Sequence, residues 1–167
     1  MAVSVALLLL MNTKLVILRK PVKDVSATAL TRFAAQAQRA AKLRGELTVL
    51  VTGNREIRKL NREFRNKNKP TDVISFPSEA GGIAGDIAIS ADIARANGRE
   101  LGHGTLTELK ILVLHGILHL AGFDHETDNG EMARKEARLR RQLQLPLGLI
   151  ERVNGTGTYS PRRGERK

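Results

Sequence analysis

Three of the four histidines in the chain lie close together, at His115, His119 and His125. Residues four positions apart on a helix share a face, so His115 and His119 can direct their imidazoles to one point. Gly122 allows the chain to leave the helix in a left-handed conformation, after which His125 can return to that point. A single histidine on an apolar helix is more often a core residue, but the three together predict a metal site.

The ligand set indicates what the metal would do. Three neutral protein ligands leave one coordination position for water or substrate, which is typical of a catalytic site. An ion held in this way lowers the pKa of its water and polarises an oxyanion. Zinc peptidases carry a glutamate as general base directly after the first histidine, whereas this chain has Gly116 there. We therefore do not expect peptide hydrolysis by that route.

Three carboxylates follow the histidines closely, and each is a candidate for proton transfer: Asp124, Glu126 and Asp128. A carboxylate from a distant strand is a further candidate. Asp124 could instead accept a hydrogen bond from a ring N–H of His119 or His125 and so orient that ligand. We favour this orienting role for Asp124.

A basic segment lies upstream of the histidines, and it contains Arg62, Arg65, Lys67 and Lys69 just before a predicted strand. A guanidinium at the end of a helix can bind a phosphate through paired donors. A solvated turn explains the same residues, with Arg65 favouring the helix C-terminus. Spacing alone favours the solvated turn, and it does not show that this segment meets the histidines.

The composition indicates one globular domain with a basic surface. The 167 residues are 41% hydrophobic and 27% charged, an ordinary balance for a folded domain. The net charge of +11 favours a polyanionic partner, either nucleic acid or an anionic membrane surface. A basic proteome or a solubilising tail would explain the same charge. Because the chain has no cysteine, disulfides, thiolate metal sites and a cysteine nucleophile are excluded.

The hydrophobic periodicity predicts the element order β-α-β-α-β-β-α-α-α. We expect an α+β single domain with a small mixed sheet of about four strands, packed with helices in a mixed three-layer arrangement. The helix that carries His115 should begin at a capping box formed by Thr105 and Glu108 and should end at Gly122. The last helix, predicted over 129–145, should turn Met132, Leu139 and Leu143 inward and its Arg/Lys face outward.

The expected domain spans residues 12–150. Residues 1–11 form an apolar extension, which lacks a basic signal-peptide region and is shorter than the roughly 20 residues of a membrane span. Met11 could equally be the natural start. Residues 151–167 are basic and rich in Gly, and we expect a disordered tail. We expect a cytoplasmic protein with no membrane partner.

Three blocks of the sequence resemble the YbeY family, the metal-dependent endoribonucleases of ribosomal RNA maturation. The family pattern H-G-x-L-H-L-x-G-x-D-H is matched by HGILHLAGFDH, residues 115–125. The blocks LNREFRNKNKPTDVISFP, residues 60–77, and GDIAIS, residues 85–90, also match and occur in the family's order. The resemblance covers roughly Val49 to Leu145.

The resemblance implies that His115, His119 and His125 bind one divalent, zinc-type ion. It places Arg65 on the family's functionally important arginine at the cleft, which implies a catalytic role. It implies a zincin-like metal helix on a small mixed sheet. It also implies a single-strand-specific endoribonuclease that matures the 3′ end of 16S rRNA and serves ribosome quality control. The implied partners are single-stranded rRNA, the small ribosomal subunit and, as a further candidate, a ribosomal protein.

Two other functions stay open at this point. The first is a non-catalytic ribosome-assembly factor that binds RNA or a ribosomal protein and uses the metal for stability. The second is a metallohydrolase of small molecules or peptides, against which Gly116 and the basic charge weigh. The sequence also leaves open the native metal, because three histidines can bind Zn, Ni, Co or Cu. The attacking group (water or the RNA 2′-hydroxyl), the cleavage site and the oligomeric state are open as well.

Overall fold

A computed structural model describes residues 15–146, so the predictions for residues 1–11 and 151–167 lie outside it. Within this range the strands are β1 (Val16–Leu18), β2 (Glu46–Thr52), β3 (Val73–Pro77) and β4 (Ile83–Ser90). They form one sheet in the order β1-β2-β4-β3. β1, β2 and β4 run parallel, and β3 pairs antiparallel with β4 at one edge. The prediction of a small mixed sheet is confirmed.

The helices of the described range are α1 (Ala27–Ala40), α2 (Asn54–Arg65), α3 (Ala91–Leu101), α4 (Thr105–Leu120) and α5 (Glu131–Gln142). The element order agrees with the one predicted from periodicity. No helix between residues 15 and 146 is long and apolar enough to cross a membrane.

Helices cover both faces of the sheet. Ile87 and Ile89 of β4 face the larger core cluster, which contains buried side chains of α1 and α4. Ala88 lies between them and faces the opposite side, where it packs with Ile57 and Leu60 of α2. Since successive strand residues point to opposite faces, β4 supplies both clusters, and the domain has three layers.

The helix α4 is the central element of the larger cluster, and its predicted bounds are confirmed. The predicted capping box is wrong, because Gly104 is the N-cap residue and forms no side-chain cap bond. Thr105 is instead the first helical residue. Glu108 points into the protein, where it is fully buried and lies 2.6 Å from Nε2 of His103.

Close packing of α4 on β4 explains the glycine that follows the first histidine. A Cβ on Gly116 would lie 2.8 Å from Cδ1 and 2.9 Å from Cγ2 of Ile87, closer than carbon atoms approach. The hydroxyl of Ser75 on β3 donates to the Gly116 carbonyl at 3.3 Å. These contacts place the C-terminal half of α4, and with it His115, beside the edge strand β3.

The last helix, α5, is shorter than predicted, and one of its arginines is buried. Met132 and Leu139 are buried, as expected. Arg140 does not belong to the predicted outward Arg/Lys face, because it is only 2% exposed. It lies one turn after the equally buried Glu136, and Nη1 of Arg140 donates to Oε1 of Glu136 at 3.1 Å. A buried arginine needs such a partner, because an unpaired charge is costly away from water.

Candidate metal centre

The three histidines predicted to bind a metal converge in the structure. Their ligand nitrogens all lie within 4.8 Å of one another. Nε2 of His115 and Nε2 of His119 are 3.1 Å apart. The ring of His125 lies 5.5 and 5.4 Å, centroid to centroid, from the rings of His115 and His119. One small cation can therefore contact all three imidazoles.

The return of His125 depends on how α4 ends. Gly122 has a φ of +92°, in the left-handed region, and its N–H donates to the His119 carbonyl at 3.0 Å. The N–H of Phe123 donates to the carbonyl of Leu118 at 3.1 Å. This pair of bonds is the Schellman ending, which reverses the chain and satisfies the last carbonyls of a helix. The reversal carries His125 back to the end of α4.

The hydrogen bonds of the imidazoles show that the donor set fits a cation. Nδ1 of His115 lies 3.1 Å from Oε2 of Glu136, so this nitrogen carries the proton and Nε2 carries the lone pair. The ring of His119 hydrogen bonds to the backbone of Phe123, which leaves its Nε2 lone pair facing His115. Two facing lone pairs repel unless a cation lies between them. Around a tetrahedral Zn²⁺ with bonds of about 2.0–2.1 Å, nitrogens would lie about 3.3 Å apart.

His125 provides a further indication that the donor set fits a cation. Its Nδ1 is buried and has no hydrogen-bond partner among residues 15–146. Buried polar nitrogens are nearly always satisfied. The three histidines therefore form a set that could hold one divalent metal ion.

The electrostatic environment keeps His119 neutral. The pKa of His119 is lowered to about 4, mainly by burial and secondarily by the neighbouring His115 and His125, whereas the charge of Asp124 and the hydrogen bond to the Phe123 backbone oppose the shift. A metal ligand must be deprotonated. At neutral pH His119 is thus ready to bind a cation without first releasing a proton.

The carboxylates after the histidines have mainly structural contacts. Oδ1 of Asp124 accepts from the backbone N–H of Glu126 at 3.0 Å, and Oδ2 accepts from the Thr127 hydroxyl at 3.2 Å. The first of these bonds is the main reason that the pKa of Asp124 is lowered. Asp128 accepts from the N–H groups of Gly130 and Met132, at the start of α5.

The hydrogen bond predicted between Asp124 and a ligand ring is not among the contacts of the described residues. The carboxylate that contacts a histidine of the cluster belongs to Glu136, which our reading of the sequence missed. A signal was present, because Glu136 lies on the apolar stripe of α5 between Met132 and Leu139. A glutamate on a buried stripe requires a partner.

The histidines open onto a cleft of about 670 Å³, and Arg65 lines the same cleft. α2 ends at Arg65 because Asn66 adopts a left-handed conformation, with a φ of +56°. Lys67 follows in the cleft wall, together with Val73 and Ser75 of β3. Within residues 15–146, Arg65 forms no ion pair. The tertiary structure thus joins the basic segment to the histidines, which spacing could not show.

Comparison with known proteins shows a consistent set of relatives. A family model described as Endoribonuclease YbeY matches residues 11–144. A protein of Koribacter versatilis, named Endoribonuclease YbeY, is 51% identical over 152 residues, which cover 91% of this chain and 100% of that protein. A protein of Solibacter usitatus with the same name is 52% identical over 125 residues, covering 75% of this chain and 84% of that protein.

A solved structure has the same fold. The solution structure of a Thermotoga maritima protein matches with a TM-score of 0.54 and 27% sequence identity. The match covers 90% of this chain and 99% of the Thermotoga chain.

Proposed function

The chain belongs to the YbeY endoribonuclease family, and we propose that it is a metal-dependent endoribonuclease that cleaves single-stranded RNA in ribosomal RNA maturation. The observation that carries this proposal is the convergence of three imidazoles and one guanidinium on a single cleft. Such a cleft combines a cation site with a fixed positive charge, and both can stabilise the negative charge that develops when a phosphodiester is cleaved.

The ion would be held by His115, His119 and His125, with Zn²⁺ as the first candidate because three nitrogen ligands and one open position suit it. When bound, the ion supplies a Lewis acid for a phosphate oxygen and lowers the pKa of a water molecule. The chain supplies the orientation of the ligands. The hydrogen bond between Nδ1 of His115 and Glu136, and the low pKa of His119, keep the Nε2 lone pairs available.

Arg65 would bind a non-bridging phosphate oxygen and stabilise the negative charge that develops as the phosphodiester breaks. A guanidinium suits this role because it is always charged and offers paired donors. Lys67 lies in the same cleft and adds positive potential for the RNA backbone. The carboxylates of Asp124 and Glu126 line the same cleft and are the candidates to take a proton from the attacking group, either water or the RNA 2′-hydroxyl.

We propose that the substrate is the rRNA of the small ribosomal subunit and that the compartment is the cytoplasm. A ribosomal protein is a further candidate partner. The family membership and the net charge of +11 support these assignments, because a basic protein is attracted to phosphate backbones.

The test is a paired assay of metal content and RNA cleavage on the full chain. Wild type, His119→Ala and Arg65→Ala would be compared by elemental analysis and on single-stranded and duplex fragments of rRNA. We expect about one metal per chain in wild type, metal loss only in His119→Ala, and loss of single-strand cleavage in both variants. Full cleavage by folded, metal-free His119→Ala would contradict the proposal. Unfolding of wild type on chelation would favour an assembly factor with a structural metal.

A further inference from the structure

The imidazole of His115 is held from two sides. Its Nε2 faces His119, whereas its Nδ1 lies 3.1 Å from Oε2 of Glu136. Glu136 is 1% exposed and His115 is 5% exposed, so water does not compete for this bond. The bond joins α5 to α4 at the point where the candidate metal site begins.

The carboxylate of Glu136 is itself held in place. Its second oxygen, Oε1, accepts from Nη1 of Arg140 at 3.1 Å, and Arg140 is 2% exposed. The Nε of Arg140 donates to the carbonyl of Pro146, beyond the end of α5. Arg140, Glu136 and His115 thus form a buried chain of hydrogen bonds that runs from the end of α5 to the ring of His115.

This arrangement selects one tautomer and one ring orientation of the His115 imidazole. A carboxylate only accepts hydrogen bonds, so Nδ1 of His115 must carry the proton and Nε2 must present its lone pair. The bond also prevents rotation of the ring about its Cβ–Cγ bond. Both effects lower the cost of binding a cation at Nε2, because the ligand is already in its binding state.

We propose that Glu136, held by Arg140, is a positioning residue that fixes the tautomer and ring orientation of His115 for metal binding. This inference rests on the proposed metal site. Glu136 acts through His115 and does not reach the cleft, whose lining contains neither Glu136 nor Arg140.

The first test is spectroscopic and uses the full wild-type chain with ¹⁵N-labelled histidine. We expect His115 to be protonated at Nδ1 in both the metal-free and the Zn²⁺-loaded protein. Protonation of His115 at Nε2 in the metal-free protein, or rapid averaging between the two tautomers, would overturn the inference. This measurement involves no substitution and therefore does not depend on the folding of a variant.

The second test measures Zn²⁺ affinity by competition with a chromophoric chelator. Glu136→Gln alone would remove the carboxylate charge that the buried Arg140 guanidinium contacts and could unfold the chain. The double variant Glu136→Gln/Arg140→Gln removes both charges, and an amide at position 136 can donate as well as accept, so it no longer selects one tautomer. The matched control Glu131→Gln/Arg141→Gln removes the same two charges from exposed positions of α5.

We expect the buried double variant to bind Zn²⁺ about 10- to 100-fold more weakly than wild type, and the control to bind as wild type does. An affinity within about twofold of wild type, in a variant whose circular dichroism is unchanged, would overturn the positioning role alone. If wild type binds no Zn²⁺, the proposed metal site fails and the inference fails with it. The two failures are therefore distinguishable.

Discussion

Nε2 of His115 and Nε2 of His119 lie 3.1 Å apart on successive turns of α4, with both lone pairs directed into the same space. Nδ1 of His115 donates to Glu136, and the ring of His119 hydrogen bonds to the Phe123 backbone. Each ring therefore carries its proton on the other nitrogen, and Nε2 is unprotonated. Both nitrogens are therefore available as ligands to one small cation placed between them.

Loss of one histidine of the cluster should abolish metal binding without unfolding the domain. His119→Ala removes a direct ligand, so we expect Zn²⁺ affinity to fall by more than the roughly 10- to 100-fold that loss of an indirect partner causes. His103→Ala is the matched control, because His103 is the histidine outside the cluster. Elemental analysis after dialysis measures the result. Equal metal content in the two variants would contradict the assignment of the site.

Arg65→Ala should lower RNA cleavage while the metal content stays at the wild-type value. Loss of one charged donor from a transition state typically lowers kcat by about 10²- to 10³-fold. Arg65→Lys should recover only part of the rate, since an ammonium lacks the paired donors of a guanidinium. Arg62→Ala is the control, because Arg62 is exposed on the same helix and does not line the cleft. An equal effect of Arg62→Ala and Arg65→Ala would indicate general attraction of RNA.

Gly116→Ala should destabilise the domain although alanine favours helices. The intrinsic gain of replacing a helical glycine is about 1 kcal/mol, whereas overpacking a core costs about 1–3 kcal/mol. The new Cβ would lie 2.8 Å from Ile87 Cδ1, so we expect overpacking to dominate. Urea unfolding gives the free energy of unfolding.

The same measurement identifies the contact responsible. Ile87→Ala alone should cost about 2–5 kcal/mol, and the double variant Ile87→Ala/Gly116→Ala should cost less than the sum of the two single changes. Gly81→Ala is the control, because a Cβ at Gly81 would meet no atom within 4 Å. Simple additivity in the double variant would show that Ile87 is not the obstacle.

Asp92→Asn should lower stability at neutral pH and have little effect in acid. The side chain of Lys20, and then the N–H of Asn54, hold the pKa of Asp92 below its ordinary value of 3.8. The unfolded chain therefore binds the proton at a higher pH, so the stabilisation is present above pH 3.8 and disappears as the pH falls through the folded pKa.

The size of this effect should be modest. The pair of Asp92 with Lys20 is partly exposed, so we expect a difference of up to about 1 kcal/mol at pH 7. Urea midpoints of wild type and Asp92→Asn from pH 7 to pH 3 measure it, with the exposed Glu100→Gln on the same helix as control. A difference that stays constant into the acid range would show that the charge of Asp92 is not responsible.

Local rules of the sequence predicted one half of the candidate site. The pairing of His115 with His119 follows from helix geometry, and the return of His125 follows from the conformational freedom of Gly122. The same rules were wrong for two charged residues that the fold buries. Glu108 satisfied the pattern of a capping box but is buried against His103, and Arg140 fitted a basic surface but is buried with Glu136.

The sequence by itself determined the order of the elements and the convergence of three imidazoles, because both depend on periodicity and on backbone conformation within a few residues. Periodicity and spacing did not bring Arg65 to the cleft, which the family resemblance alone implied. Only the tertiary structure decided that Glu136, 21 residues from His115, holds its ring. These contacts arise because α2 packs against β4 and α5 packs against α4, and α4 itself packs against the sheet. Packing between distant segments is set by the shape of the whole core, and no local pattern specifies it.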